Sequence, residues 1–231
     1  GLLDTKQALS DAGIGYFDKD DTYIFEKDGI RIAFVGLDGV TWSDYQADGD
    51  AVVRKIKSLK ADDSISAVIA TLHAGDEYGS FHSQAQAKKA YRLINAGADL
   101  IIGAHPHVVQ GMELYNGRLI LYSIGNFVFG GNARVRAMET MIPRIMLKFS
   151  DDKELLGIQL RLYPANVSGD TSGGNYDNNY QPVLVEGRQA KDIFYMVSRD
   201  STKKSAPVLD TETDQYRDYQ WIDITPQKSG D

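Results

Sequence analysis

Three near-continuous apolar runs set the frame for this chain: Ile30 to Leu37 (IRIAFVGL), Ile65 to Leu72 (ISAVIATL) and Asp99 to Gly103 (DLIIG). Each has the length of a strand and lacks the alternation of a half-solvated one, so both faces must be covered, as in a parallel sheet between layers. The segments between them read as helices. Val52, Ile56 and Leu59 fall at i, i+4 and i+7 after Asp50, which has the chemistry of an N-cap. Ser83 followed three residues on by Gln86 reads as a capping box, ahead of an apolar face of Ala87, Ala90, Tyr91 and Ile94 that Gly97 closes. Strand–helix–strand alternation predicts an α/β fold.

The second half is richer in strand signals. Asn116-Gly117 between two apolar runs predicts a tight hairpin pairing Val108 to Tyr115 with Arg118 to Ile124. Further strands are predicted over Ile142 to Phe149 and Leu155 to Tyr163, and a last helix over about Gln189 to Val197. Asn166 to Gln181, rich in Gly, Asn, Ser and Asp, reads as a surface excursion. From Thr211 onward the chain is acidic, with Tyr216, Tyr219 and Trp221 available to pack back. At 231 residues, with no repeat and no evident linker, the sequence predicts a single domain over 1–231.

Composition removes several function classes. There is no cysteine, which excludes a disulfide scaffold and a thiol nucleophile. A net charge of −7 with no basic stripe argues against nucleic acid as a partner. No apolar run approaches the ~20 residues needed to span a bilayer. No serine nucleophile elbow is present, and Gly130-Gly131 lacks the lysine of a phosphate loop.

The chemistry-bearing residues gather at strand ends. His73 follows ISAVIATL, and His105 and His107 follow DLIIG as Gly103-Ala104-His105-Pro106-His107. In an open α/β sheet the crevice beyond the carboxyl ends of the strands binds ligands, so neighbouring strands would bring three imidazoles together. Neutral imidazole suits Mn, Fe or Zn. Pro106 restricts the backbone between two of the rings. Glu77, four residues after His73, is placed to ligate a metal or to orient a histidine, and Asn126 to brace that loop or bind substrate. Asp76 reads as a solvated loop acid, and His82, ahead of a helix cap, as a surface residue.

Thr71-Leu72-His73-Ala74-Gly75-Asp76-Glu77-Tyr78 resembles the Leu-His-Trp-Gly-x-Glu-Tyr motif of the CapA/PgsA family of bacterial capsule and poly-γ-glutamate synthesis proteins, with Ala74 in place of Trp. Ala96 to Gly130 is similar to that family's signature almost throughout, and Gly1 to Leu37 to its opening helix, turn and strand. The core of the resemblance covers 1–165; 166–231 holds the loop, helix and acidic tail. The resemblance implies a four-layer α/β/β/α sandwich of metallophosphoesterase type. It implies a divalent metal pair of Mn, Fe or Zn, with His73 and His105 on one metal and His107 on the other. The implied reaction is metal-dependent hydrolysis of a phosphoester or a bond of an anionic polymer. The alternative is a non-catalytic accessory of a membrane capsule synthesis or export complex.

Family members carry Gly-Asp and Asn-Asn-His motifs ahead of the segment that here begins Gly1-Leu2-Leu3-Asp4. The chain is therefore expected to be the C-terminal portion of such a domain, incomplete at the N-terminus and by itself inactive. A complementary N-terminal segment would complete it. The resemblance also implies the extracellular face of the bacterial cell surface, reached through an upstream anchor.

Overall fold

The structure is a computed structural model that describes residues 1–40, 42–170, 177–201 and 222–224. The element order is α1 (Leu2–Asp11), β1 (Tyr23–Lys27), β2 (Ile30–Asp38), α2 (Trp42–Lys60), β3 (Ala67–His73), α3 (Gln84–Ala96), β4 (Leu100–Ala104), β5 (Met112–Tyr115), β6 (Arg118–Leu121), β7 (Glu139–Phe149), β8 (Leu155–Asn166), β9 (Val183–Leu184), α4 (Gly187–Asp200) and β10 (Ile222–Ile224). The fold is α/β, with a mixed sheet and flanking helices.

The three apolar runs become β2, β3 and β4, which lie side by side and parallel in a six-stranded sheet of order β1-β2-β3-β4-β6-β5. Antiparallel β1 and β5 form its edges. Burial on both faces explains the lack of alternation. Val68, Ala70 and Leu72 of β3 pack with Val52 and Ile56 of α2 and with Ala90, Leu93 and Ile94 of α3. On the opposite face Ile69 and Leu100 join Ile158, Leu160 and Leu162 of β8 and Phe194 and Val197 of α4. Each such side chain fully buried contributes roughly 1.5–3 kcal/mol.

A second sheet, β10-β8-β7 with β9 against the end of β8, stacks on that opposite face. Helix α4 packs against β5, β7 and β8 and adds its buried stripe of Ala190, Ile193, Phe194 and Val197 to the core between the sheets. Two sheets with α2 and α3 on one side make three layers. Among the described residues no helix lies over the outward face of the second sheet, where Arg144, Met146 and Lys148 of β7 are exposed. The edge of β7 away from β8 is likewise unpaired among those residues, and Pro143 within it fits an edge strand.

Local signals were realised closely. Ser83 accepts from the Gln86 amide while its own amide donates to Gln86 Oε1, and Gly97 caps α3 at φ 118°. Replacing Ser83 by alanine is expected to remove about 1 kcal/mol, measurable by urea denaturation. Asn116 and Gly117, at φ 49° and 69°, form the two-residue turn between β5 and β6.

Other expectations need correction. Asp50 does not cap a helix: α2 begins eight residues earlier at Trp42, and Asp50 sits within it, paired with Arg92 of α3. The apolar spacing marks the later turns of α2, where Val52 and Ile56 are buried. The excursion from Asn166 is not wholly superficial. Ser168 and Asn178 are buried, and the Asn178 amide donates to the carbonyls of Phe129 and Asn132 at 2.9 Å each. Tyr216, Tyr219 and Trp221 lie outside the described residues. Helix α1 carries no buried residue, and its Leu2 and Leu3 are exposed.

Candidate metal centre

Parallel register brings the carboxyl ends of β2, β3 and β4 into line, with His73 between Asp38 and Ala104. The loops that leave β3 and β4 are then bound to each other: the Ala74 amide donates to the Ala104 carbonyl at 3.0 Å and the Tyr78 amide to the Pro106 carbonyl at 2.8 Å. Gly75 makes this approach feasible. At φ 127° a Cβ there would stand 2.9 Å from both Pro106 and the Gln86 side chain. Ala74 is fully buried in the core beneath the loop.

The result is one cluster of imidazoles. His105 Nδ1 lies 3.2 Å from His73 Nε2. Two nitrogens bound at ~2.1 Å to one tetrahedral ion stand about 3.4 Å apart, so this spacing suits a shared cation. Ligand atoms of Glu77, His105 and His107 lie within 4.8 Å of one another. His107 Nδ1 is 2.7 Å from Asn126 Oδ1, a bond that fixes which ring nitrogen carries the proton. Asn126 is itself buried and donates to the His107 carbonyl at 3.4 Å. His107 also contacts the rings of Tyr78 and Phe129, at 5.7 and 5.3 Å between centroids.

All five residues singled out from the sequence are thus brought together, with His73 beside His105. Glu77 stands among the donors alongside His105 and His107. His73 touches His105 and stands apart from that three-residue group. One such group occurs among the described residues, where the resemblance implied two metals. His105 and His107 have φ values of 102° and 60°. Such backbone costs a non-glycine residue about 1–3 kcal/mol and is typical of functional sites.

Burial, and after it the neighbouring imidazole of His73, hold His105 below the ordinary histidine range, with Glu77 and Asp38 acting in the opposite sense. At a given pH His105 is therefore neutral, and able to ligate, in a larger fraction of molecules than a free imidazole is. A folded-state pKa depressed below 6.5 means that the unfolded chain binds more protons in that window. Stability is expected to fall as pH drops through 6.5, and His105→Asn to flatten that slope; denaturation at pH 7.5 and 5 checks both.

Three neighbours escaped sequence reasoning. Asp38 follows a strand as His73 does, and the rule applied to the histidines would have found it. Phe129 and Arg136 had no such signal; the Arg136 guanidinium carbon lies 4.1 Å over the Tyr78 ring. His82 is not a surface residue. Its ring stacks on Tyr122 at 3.8 Å, and its Nδ1 lies 3.0 Å from Asp200 at the end of α4. Asp76 is exposed, as expected of a solvated loop acid.

Residues 1–131 match the family model described as Bacterial capsule synthesis protein PGA_cap. The chain belongs to that family. Among curated relatives, the PGA biosynthesis protein CapA of Bacillus subtilis is 34% identical over 147 residues, covering 56% of this chain and 38% of that protein. The capsule biosynthesis protein CapA of Bacillus anthracis is 30% identical over 148 residues, 56% of this chain and 36% of the relative. A probable polyglutamine synthesis accessory protein of Mycobacterium tuberculosis is 28% identical over 102 residues, 43% and 27% of the two chains. The matched part of this PGA_cap chain thus spans well under half of each of these relatives.

Proposed function

We propose that this chain is the metal-binding part of a capsule or poly-γ-glutamate synthesis protein that hydrolyses a phosphoester or polymer bond. The observation that carries this reading is the convergence of Glu77, His105 and His107 beyond the carboxyl ends of parallel strands. Their nitrogen and oxygen donors fit Mn, Fe or Zn, with His73 beside His105 as a further donor. Such a cation, when bound, supplies Lewis-acid stabilisation of charge developing on a phosphoryl or acyl oxygen. The chain's own contribution is to favour the neutral form of His105, to orient His107 through Asn126, and to wall the site with Tyr78 and Phe129.

In this reading the partner is a complementary N-terminal segment of the same domain, which would also add to the layers of a metallophosphoesterase-type sandwich. An open apolar groove of about 870 Å³ supports it. Ile32, Phe34 and Ile102 of the first sheet line one wall of the groove, and Pro143, Ile145 and Leu147 of β7 the other. Location on the extracellular face, through an anchor outside this chain, belongs to the same proposal. No helix among the described residues is long and apolar enough to cross a membrane.

The accessory name of the mycobacterial relative favours a second reading, in which the fold serves a membrane synthesis complex without hydrolysing anything. Metal analysis together with assays on a phosphodiester and on poly-γ-glutamate separates the two. Bound Mn, Fe or Zn with turnover supports the hydrolase. Absence of turnover in a metal-loaded protein extended at its N-terminus leaves the accessory.

A further inference from the structure

The Arg136 guanidinium carbon lies 4.1 Å over the Tyr78 ring, which in turn stacks on His107, and its N–H groups meet no carboxylate among the described residues. Stacking holds the guanidinium in place while leaving its donor edge available, the arrangement in which arginine receives a carboxylate in bidentate fashion. Arg136 stands at a cavity of about 410 Å³, within the usual range for small-ligand sites. The cavity is polar. Besides Arg136 it is lined by the carboxylates of Glu139, Asp170 and Asp192 and the amides of Asn166 and Gln189.

The lining holds one cation and three anions, with Arg188 facing Asp192 at 3.9 Å, and does not suit a ligand that is purely anionic. It suits one bearing a carboxylate and an ammonium a few ångströms apart, with neutral amide groups between them and the remainder of the molecule. In a γ-linked glutamate chain every unit carries an α-carboxylate, but the first unit alone also carries an α-ammonium. We propose that this cavity is a subsite for the amino-terminal unit of a γ-glutamyl chain, with Arg136 taking the α-carboxylate and Glu139 and Asp192 the ammonium. The subsite lies one ring away from His107, so a chain held by its end would run toward the metal centre. This rests on the poly-γ-glutamate reading above and names the part of the polymer recognised.

Isothermal titration of the protein extended at its N-terminus, without added metal and at low salt, tests it with γ-linked triglutamate bearing a free or an acetylated amine. The free-amine peptide is expected to bind at least tenfold tighter. Arg136→Ala is expected to weaken it tenfold or more, and Arg136→Lys less. The double variant Glu139→Gln/Asp192→Asn is expected to abolish the preference for the free amine. Arg136 and Asp192 are solvent-exposed and Glu139 is half-buried, so melting curves of each variant beside the parent separate binding from folding. Equal binding of the two peptides, or binding indifferent to Arg136→Ala, overturns the subsite while leaving the polymer as ligand. Binding of neither peptide overturns the polymer reading and the subsite with it.

Discussion

His105→Ala should lower the affinity of the chain for Mn, Fe or Zn by more than about 100-fold, because even groups that only orient a metal ligand typically count for 10–100-fold. His105 is the residue that touches both halves of the site. Its Nδ1 faces His73 at 3.2 Å, and its ring belongs to the group formed with Glu77 and His107. Removing it leaves His73 without its imidazole neighbour and breaks the three-donor set. Asn126→Ala should give a smaller loss, about ten- to a hundredfold, since His107 remains but its ring is no longer held. Metal titration at neutral pH with elemental analysis reads both. Stoichiometry and affinity unchanged in His105→Ala would mean that the imidazole cluster is structural, and the hydrolase reading would fail with it.

The second large effect concerns the strand that delivers His105. Gly103→Ala is expected to destabilise the fold by on the order of 3 kcal/mol or more, at the upper end for inserting one carbon into a packed interior. A Cβ at Gly103 would stand 2.0 Å from the Tyr122 carbonyl oxygen and 2.7 Å from that of Leu121. Both are backbone atoms where β6 leaves the sheet, so no side-chain rotation relieves the clash and β4 must separate from β6. The same movement would shift His105 and His107 relative to Asn126, which follows β6. A melting temperature lower by on the order of 10 °C together with weakened metal binding is the expected pair of results. Gly130→Ala is the control, because a Cβ there meets nothing within 4 Å. A neutral Gly103→Ala would mean that β4 and β6 are not packed as described.

What was legible in the sequence follows from range. The capping box at Ser83, the turn at Asn116-Gly117 and the three buried strands depend on residues within a few positions of each other, where local geometry dominates. Contacts between distant segments were not legible. His82 looked superficial because its partner Asp200 lies 118 positions away, and Asp200 also accepts from the Gly111 amide at 2.7 Å, joining α4 to the start of β5. The first turns of α2 were missed because the apolar spacing used to place the helix begins only at Val52.

For the site, sequence by itself determined the inventory: three histidines placed directly after two apolar strands, a nearby glutamate, and an asparagine closing a hairpin. It also determined that these lie at strand ends, because an apolar run of that length admits little else. The tertiary structure alone decided their grouping. Parallel register aligns Asp38, His73 and Ala104, the hydrogen-bonded loops bring Glu77 to His105 and His107, and Arg136 arrives from the segment before β7 to cover Tyr78. Strand register and loop docking are set by the packing of both sheet faces at once, a sum over residues far apart in the chain.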